Sequence, residues 1–259
     1  VGRYLDAQNK EPYTAIEVGE SLSLMLKGEH INGIATKDPE RLYKSVNTRF
    51  FKQLLNHQND THLSEHNLGY LYQTLISAES SAEYIFETTK TYNSTKEYPN
   101  NPFGKQLKTV AQFINSGLNT NVYFASLSGF DTHANQQNAQ TRLLTQYAEG
   151  VESLVSDLKN HNTFKDTLIL TFSEFGRRVE QNAANGTDHG AANNVFVIGE
   201  NLKKQGIYNP LASLEDLDSN GDLKFEIDFR HLYSTILNKW MNVDAQQVLG
   251  QDFKVLNFI

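Results

Sequence analysis

Apolar positions recur at helical spacing through the first half of the chain and give way to short β-rich runs after Gly117. Leu42, Val46, Phe50, Leu54 and Leu55, then Leu68, Leu71, Leu75 and Ile76, then Leu107, Val110, Phe113 and Ile114 each mark one face of a helix between Asp38 and Leu118. Residues 121–127 (NVYFASL), 167–172 (TLILTF) and 194–198 (NVFVI) are rich in β-branched and aromatic residues, so each predicts a strand. Between the first two, Leu143, Leu144, Tyr147, Val151, Leu154 and Leu158 form the stripe of a helix over residues 136–159. Strand, helix, strand in that order predicts a parallel crossover. A further amphipathic helix is expected over residues 229–240, followed by a closing segment that packs back on the core. The expected fold class is α/β, a mostly parallel sheet flanked by helices. A mainly helical N-terminal region, residues 1–119, would pack on an α/β region, residues 120–259, within one structural domain.

Composition narrows this picture. With 39% hydrophobic residues and 11% aromatics, 259 residues can bury a sizeable core, and wholesale disorder is excluded. A formal net charge of -7 argues against a nucleic-acid footprint. Cysteine is absent, which removes disulfides, thiolate metal sites and a cysteine nucleophile. No apolar run approaches the ~20 residues of a membrane-spanning helix. The chain opens on Val1-Gly2-Arg3-Tyr4 without an initiator Met, which is read as a processed product or a portion of a longer protein.

Three loops beside the predicted strands carry the chemistry: Ser128-Gly-Phe-Asp131-Thr-His133, Ser173-Glu174-Phe-Gly-Arg177-Arg178, and Gly186-Thr-Asp188-His189-Gly190. In open α/β folds, loops at the carboxyl ends of parallel strands bind ligands. The Asp131/His133 loop and Glu174 follow their strands directly, whereas Asp188 and His189 precede theirs and reach the same rim if the third strand runs antiparallel or at an edge. Asp131 and His133 are two apart, so both face one ion only in an irregular loop, which Gly129 permits. Imidazoles with carboxylates and no sulfur suit Zn²⁺, Mn²⁺ or Fe²⁺ better than Ca²⁺. Arg177 and Arg178 are candidates for binding an anionic group bidentately. The alternative is structural: Asp131 as a helix cap, His189 bonded in a turn, Glu174 and the arginines in ion pairs.

At these motifs and at Asp228-Phe-Arg230 the chain resembles the DUF1501 family, a bacterial family of unassigned function placed by similarity in the alkaline phosphatase and sulfatase superfamily. The resemblance runs from Gly2-Arg3-Tyr4-Leu5 to Val248-Leu249-Gly250. It implies an alkaline phosphatase-like fold and a metal-dependent hydrolase of phosphate or sulfate esters, with one divalent ion or two. By that analogy Asp131, His133 and His189 hold one ion. Glu174 stands where relatives of the superfamily carry an Asp-His pair, Phe175 replaces the His, and Asp188 compensates. Substrates would be a small anionic ester or a sulfated or phosphorylated saccharide. Export to the periplasm or cell surface follows from the same resemblance. The upstream strand and loop that supply a nucleophile in the superfamily have no match here, so the chain reads as a C-terminal portion with an incomplete two-metal site. The competing expectation is a non-catalytic exported binding protein with a degenerate site of this type.

Other motifs read as structural. Asp216-Leu-Asp218-Ser-Asn220-Gly221-Asp222 imitates a calcium loop, but its twelfth position is Ile227, so a polar turn is expected. His57, His62 and His66 lack a surrounding carboxylate pattern. Ser126, Ser128 and Ser173 lack a nucleophile elbow. Asp228 is expected to order the start of the last helix, with an outer role for Arg230 as the alternative.

Overall fold

The structure, a computed structural model, describes residues 1–56, 66–92 and 94–259. In chain order its elements begin with α1 (Gly2–Ala7), β1 (Ala15–Glu17), β2 (Ile34–Ala35), α2 (Pro39–Val46), α3 (Arg49–Asn56), α4 (His66–Thr89), α5 (Pro102–Asn115) and β3 (Val122–Phe124). They continue with α6 (Gln136–Asn160), β4 (Ile169–Thr171), β5 (Gly176–Arg177), β6 (His189–Gly190), β7 (Phe196–Ile198), α7 (Phe229–Thr235) and α8 (Ala245–Leu249). His57 and His62 lie outside the described residues, as does the side chain of His66.

Two units can be distinguished, residues 1–126 with 149–158 and residues 127–148 with 159–259. In the first, β1 sits between β2 and β3 in a three-stranded parallel sheet, with Ile16 opposite Ile34 on one side and Tyr123 on the other. All three residues of β1 are buried, because helices and loops cover a parallel sheet on both faces. Around it, Leu5, Ile16, Leu26, Ile85, Phe113 and Leu158 are almost fully buried, each contributing about 1.5–3 kcal/mol by leaving water. The helices start on local signals. Asp38 caps α2 through Glu40 and Arg41, with Pro39 at the first position, and Asn101 caps α5 through Gly104 ahead of Pro102. Tyr43 of α2 stacks on Phe86 of α4 at 4.5 Å. Asp157, 1% exposed, accepts hydrogen bonds from Ser94 Oγ and Tyr98 OH, both at 2.8 Å, which offsets the cost of burying a carboxylate. Burial and that bond to Asp157 raise the Tyr98 phenol well above its ordinary value.

The second unit contains two antiparallel ribbons. β4 pairs with β7, Leu170 opposite Val197, and β5 pairs with β6, Arg177 opposite His189. The antiparallel orientation of the strand near residues 194–198 agrees with its reading from sequence. The parallel pairing expected between β3 and β4 does not form. β3 pairs with β1 instead, and β4 takes β7, so the crossover through α6 ends in a different sheet. The sequence reading leaves out β1 and β2; β1 pairs with β3, and β2 continues the parallel sheet on the far side of β1. The α/β class with a small parallel sheet and flanking helices stands.

In the same unit Asp228 caps α7, accepting from the Arg230 backbone N–H at 2.9 Å and from its guanidinium. Arg230 also lies over the Phe253 ring at 4.8 Å. The side-chain and backbone bonds from Arg230 hold the Asp228 carboxyl at about 2. A depressed carboxylate stabilises the fold above its unfolded pKa near ~3.9, and that contribution disappears as pH falls through the folded value. Asp228→Ala is therefore expected to cost about 1 kcal/mol at neutral pH, measured by denaturant unfolding, and the difference should shrink as pH falls from ~4 and vanish only below ~2.

The calcium-like run is a turn. Asp218 Oδ1 accepts the N–H groups of Asn220 and Asp222 at 2.8 and 2.9 Å, while Asp216 pairs with Lys224 and Asp222 with Arg178.

Candidate metal centre

The loop from β3 to α6 turns sharply at Asp131. Gly129 takes φ 102°, and the Thr132 N–H donates to Phe130 O at 2.9 Å across Asp131. This three-residue turn puts Asp131 at its centre, with His133 just beyond its end. It presents Asp131 and His133 together. His189 comes from β6, held by the β5 ribbon, and the Arg178 N–H donates to Asp188 O at 3.1 Å beside it.

These side chains converge. Asp131 Oδ1 lies 3.0 Å from His133 Nε2 and 2.7 Å from His189 Nε2, and the two imidazoles are 4.9 Å apart between ring centres. One ligand atom from each residue lies within 4.8 Å of the others. Around a tetrahedral ion with donors at about 2.0–2.2 Å, donor atoms sit roughly 3.3 Å apart, so small side-chain rotations would fit these three to one ion. Two imidazole nitrogens and a carboxylate form a donor set suited to Zn²⁺ or Mn²⁺.

The charge at the site has a clear sign. The hydrogen bond with His189, and after it the one with His133, hold the Asp131 carboxyl below the usual carboxylate range. Bonds from Asn182 and then His133 do the same for Asp188. Both carboxylates are ionised at neutral pH and favour a cation. Asp131 and His133 are 66% and 52% exposed, which leaves the group open to a ligand from solvent.

The other expected site residues take different places. Asp188 Oδ1 lies 3.4 Å from His133 Nδ1, on the side of the ring away from Asp131. It stands outside the three-residue group and faces its histidine from behind, the position of a carboxylate that orients a metal-bound imidazole. Glu174 is exposed and also outside the group, while its neighbour Phe175 stacks on the His189 ring at 3.9 Å. Arg177 donates through Nη1 to Thr187 O at 2.6 Å and through Nη2 to Phe130 O at 2.5 Å. Arg178 pairs through Nε with Asp222 at 3.2 Å.

Two residues that hold the loops together escape the sequence reading. Asn182 Nδ2 donates to His133 O at 3.0 Å and to Asp188 Oδ1 at 3.3 Å, and its Oδ1 accepts from Ala184 and Gly186 N–H, both at 3.0 Å. Gln136 Oε1 accepts from the Thr187 N–H and hydroxyl, both at 2.9 Å. Backbone bonds from Asn135 to Ala184 and from Gln136 to Asn185 close the junction. The available signal was the run Asn182-Ala-Ala-Asn185-Gly186, since Asn side chains in turns bond readily to nearby backbone.

A family model described as a protein of unknown function (DUF1501) matches residues 29–251. Neither a curated protein nor a solved structure matches the chain.

Proposed function

The chain belongs to the DUF1501 family, and for it we propose a metal-dependent hydrolase of phosphate or sulfate esters whose ion is held by Asp131, His133 and His189. The observation that carries this reading is the convergence of two imidazole Nε2 atoms on one carboxylate oxygen, at 3.0 and 2.7 Å, on an open surface. A divalent ion there would supply Lewis-acid charge to a phosphoryl or sulfuryl oxygen and acidify a water molecule. Asp131 sets the negative charge of the site, His133 and His189 fix its donor direction, and Asp188 aligns His133 from behind. Zn²⁺ or Mn²⁺ is the preferred ion over Ca²⁺ because two of the three donors are nitrogen. The reading carries with it an alkaline phosphatase-like ancestry, a small ester or a modified saccharide as substrate, and export from the cell. No helix of the described residues is long and apolar enough to cross a membrane.

A second reading, a non-catalytic exported protein that binds through a degenerate site, draws support from Phe175. Its ring stacks on His189 at the position where the superfamily resemblance called for another metal-binding His.

An assay on aryl phosphate and aryl sulfate esters with Zn²⁺, Mn²⁺, Ca²⁺ or chelator separates the two. Hydrolase function predicts turnover that is weak, as the incomplete two-metal site implies, that needs Zn²⁺ or Mn²⁺, and that is lost in Asp131→Ala and His133→Ala. A protein that takes up the ion at this site yet turns over no ester class would favour the binding reading instead.

A further inference from the structure

We infer that Arg177, which its sequence motif suggests as a substrate anchor, is the positioning residue that holds the two ligand-bearing loops in register. The inference rests on the assignment of Asp131, His133 and His189 as metal ligands. Four observations bear on it. Nη2 donates to the carbonyl of Phe130, the residue immediately before Asp131. Nη1 donates to the carbonyl of Thr187, two residues before His189. Arg177 is also the cross-strand partner of His189 in the β5–β6 ribbon. Finally, its guanidinium lies over the Phe175 ring at 5.1 Å, and Phe175 in turn stacks on the His189 imidazole at 3.9 Å and 12°.

A single planar cation thus joins the Asp131 turn, the Asp188/His189 turn and the aromatic face behind His189. A guanidinium can do this because it presents several N–H donors in a fixed plane and keeps its charge at every relevant pH. Both Nη atoms are directed at main-chain carbonyls, which leaves them poorly placed to clamp a substrate oxyanion. Lysine, a point charge with three rotatable donors, would reach one carbonyl and release the other. The predicted consequence is a weakened metal site with no direct change in ester recognition.

The test uses Arg177→Lys and Arg177→Met, each checked for native circular dichroism, with two readouts. Titration calorimetry with Zn²⁺ and with Mn²⁺ should show affinity about 10–100-fold weaker in Arg177→Met and an intermediate loss in Arg177→Lys, the range typical of residues that orient metal ligands. In the metal-free protein, the His189 ring protons should be shifted upfield by the Phe175 ring in an imidazole-detected NMR spectrum. That shift should collapse in Arg177→Met while the His231 resonances, remote from Arg177 in sequence and packed near Phe253, stay in place. Affinity within about threefold of wild type together with an unchanged His189 shift would overturn the inference. If the wild-type protein binds neither ion, the metal-centre reading falls, and the metal-free spectrum still decides for or against Arg177.

Discussion

Alanine in place of Asp131 is expected to lower Zn²⁺ or Mn²⁺ affinity by at least about 100-fold, a larger loss than removing an orienting partner produces. Asp131 Oδ1 lies within hydrogen-bond distance of both imidazoles, so its loss removes a ligand and the anchor of the other two at once. His189→Ala should have a comparable effect, leaving one carboxylate and one imidazole on the same loop. Glu174→Ala should leave affinity within about threefold, because its carboxylate stands apart from the group. Asp131, held below the usual carboxylate range by its bonds with His189 and His133, keeps its negative charge for a cation at neutral pH. Titration calorimetry on the wild type and the three variants provides the check. Loss of affinity in Glu174→Ala equal to that in Asp131→Ala would place the ion elsewhere.

The second large effect is expected at Gly176. A Cβ built on this residue would lie 1.7 Å from the carbonyl oxygen of Ala192 and 2.5 Å from its carbon, both backbone atoms that cannot swing aside. Gly176 is buried and pairs with Gly190 in the ribbon, so the approach of the 192 backbone depends on the absence of a side chain. Gly176→Ala should therefore force β5 away from its neighbours and cost on the order of 3 kcal/mol or more. Because Arg177 follows it directly and faces His189, metal affinity should fall in the same variant. Urea unfolding and calorimetry measure the two effects separately. A variant of wild-type stability would show that the chain around Ala192 yields easily and that the ribbon does not fix the site.

The sequence disclosed the long helices and the chemistry better than the sheets. Residues 136–159 carry a continuous apolar stripe, and the helix Gln136–Asn160 follows it closely. The strand near 194–198 was legible in type and direction because Asp188 and His189, lying before it, needed an antiparallel return. β1 was not legible, since three residues buried on both faces leave no alternation to detect, and β2 is shorter still. Without them β3 lacked a visible partner, and β4 was assigned to it on topology alone.

The site shows the same division. Asp131, His133 and His189 could be grouped from residue type and loop position, and the structure brings their ligand atoms together. The separation of Asp188 from that group could not be read, because it depends on which ring nitrogen of His133 faces which carboxylate. The use of Arg177 depends on two carbonyl oxygens, at positions 130 and 187, whose directions are set by turn geometry and not by side-chain identity. Asn182 escaped for a similar reason: its amide acts on backbone groups of its own turn and on His133 O, 49 residues away in sequence.

The central claim, that Asp131, His133 and His189 hold a divalent ion, is tested most directly by anomalous scattering from crystals grown or soaked with Zn²⁺. It predicts a strong zinc-edge peak within about 2.0–2.2 Å of Asp131 Oδ1 and of the Nε2 atoms of His133 and His189. Asp188 should remain behind His133 with no bond to the ion. Full zinc exposure with no peak among these three side chains, or with a peak only at Glu174 or elsewhere on the surface, would contradict it.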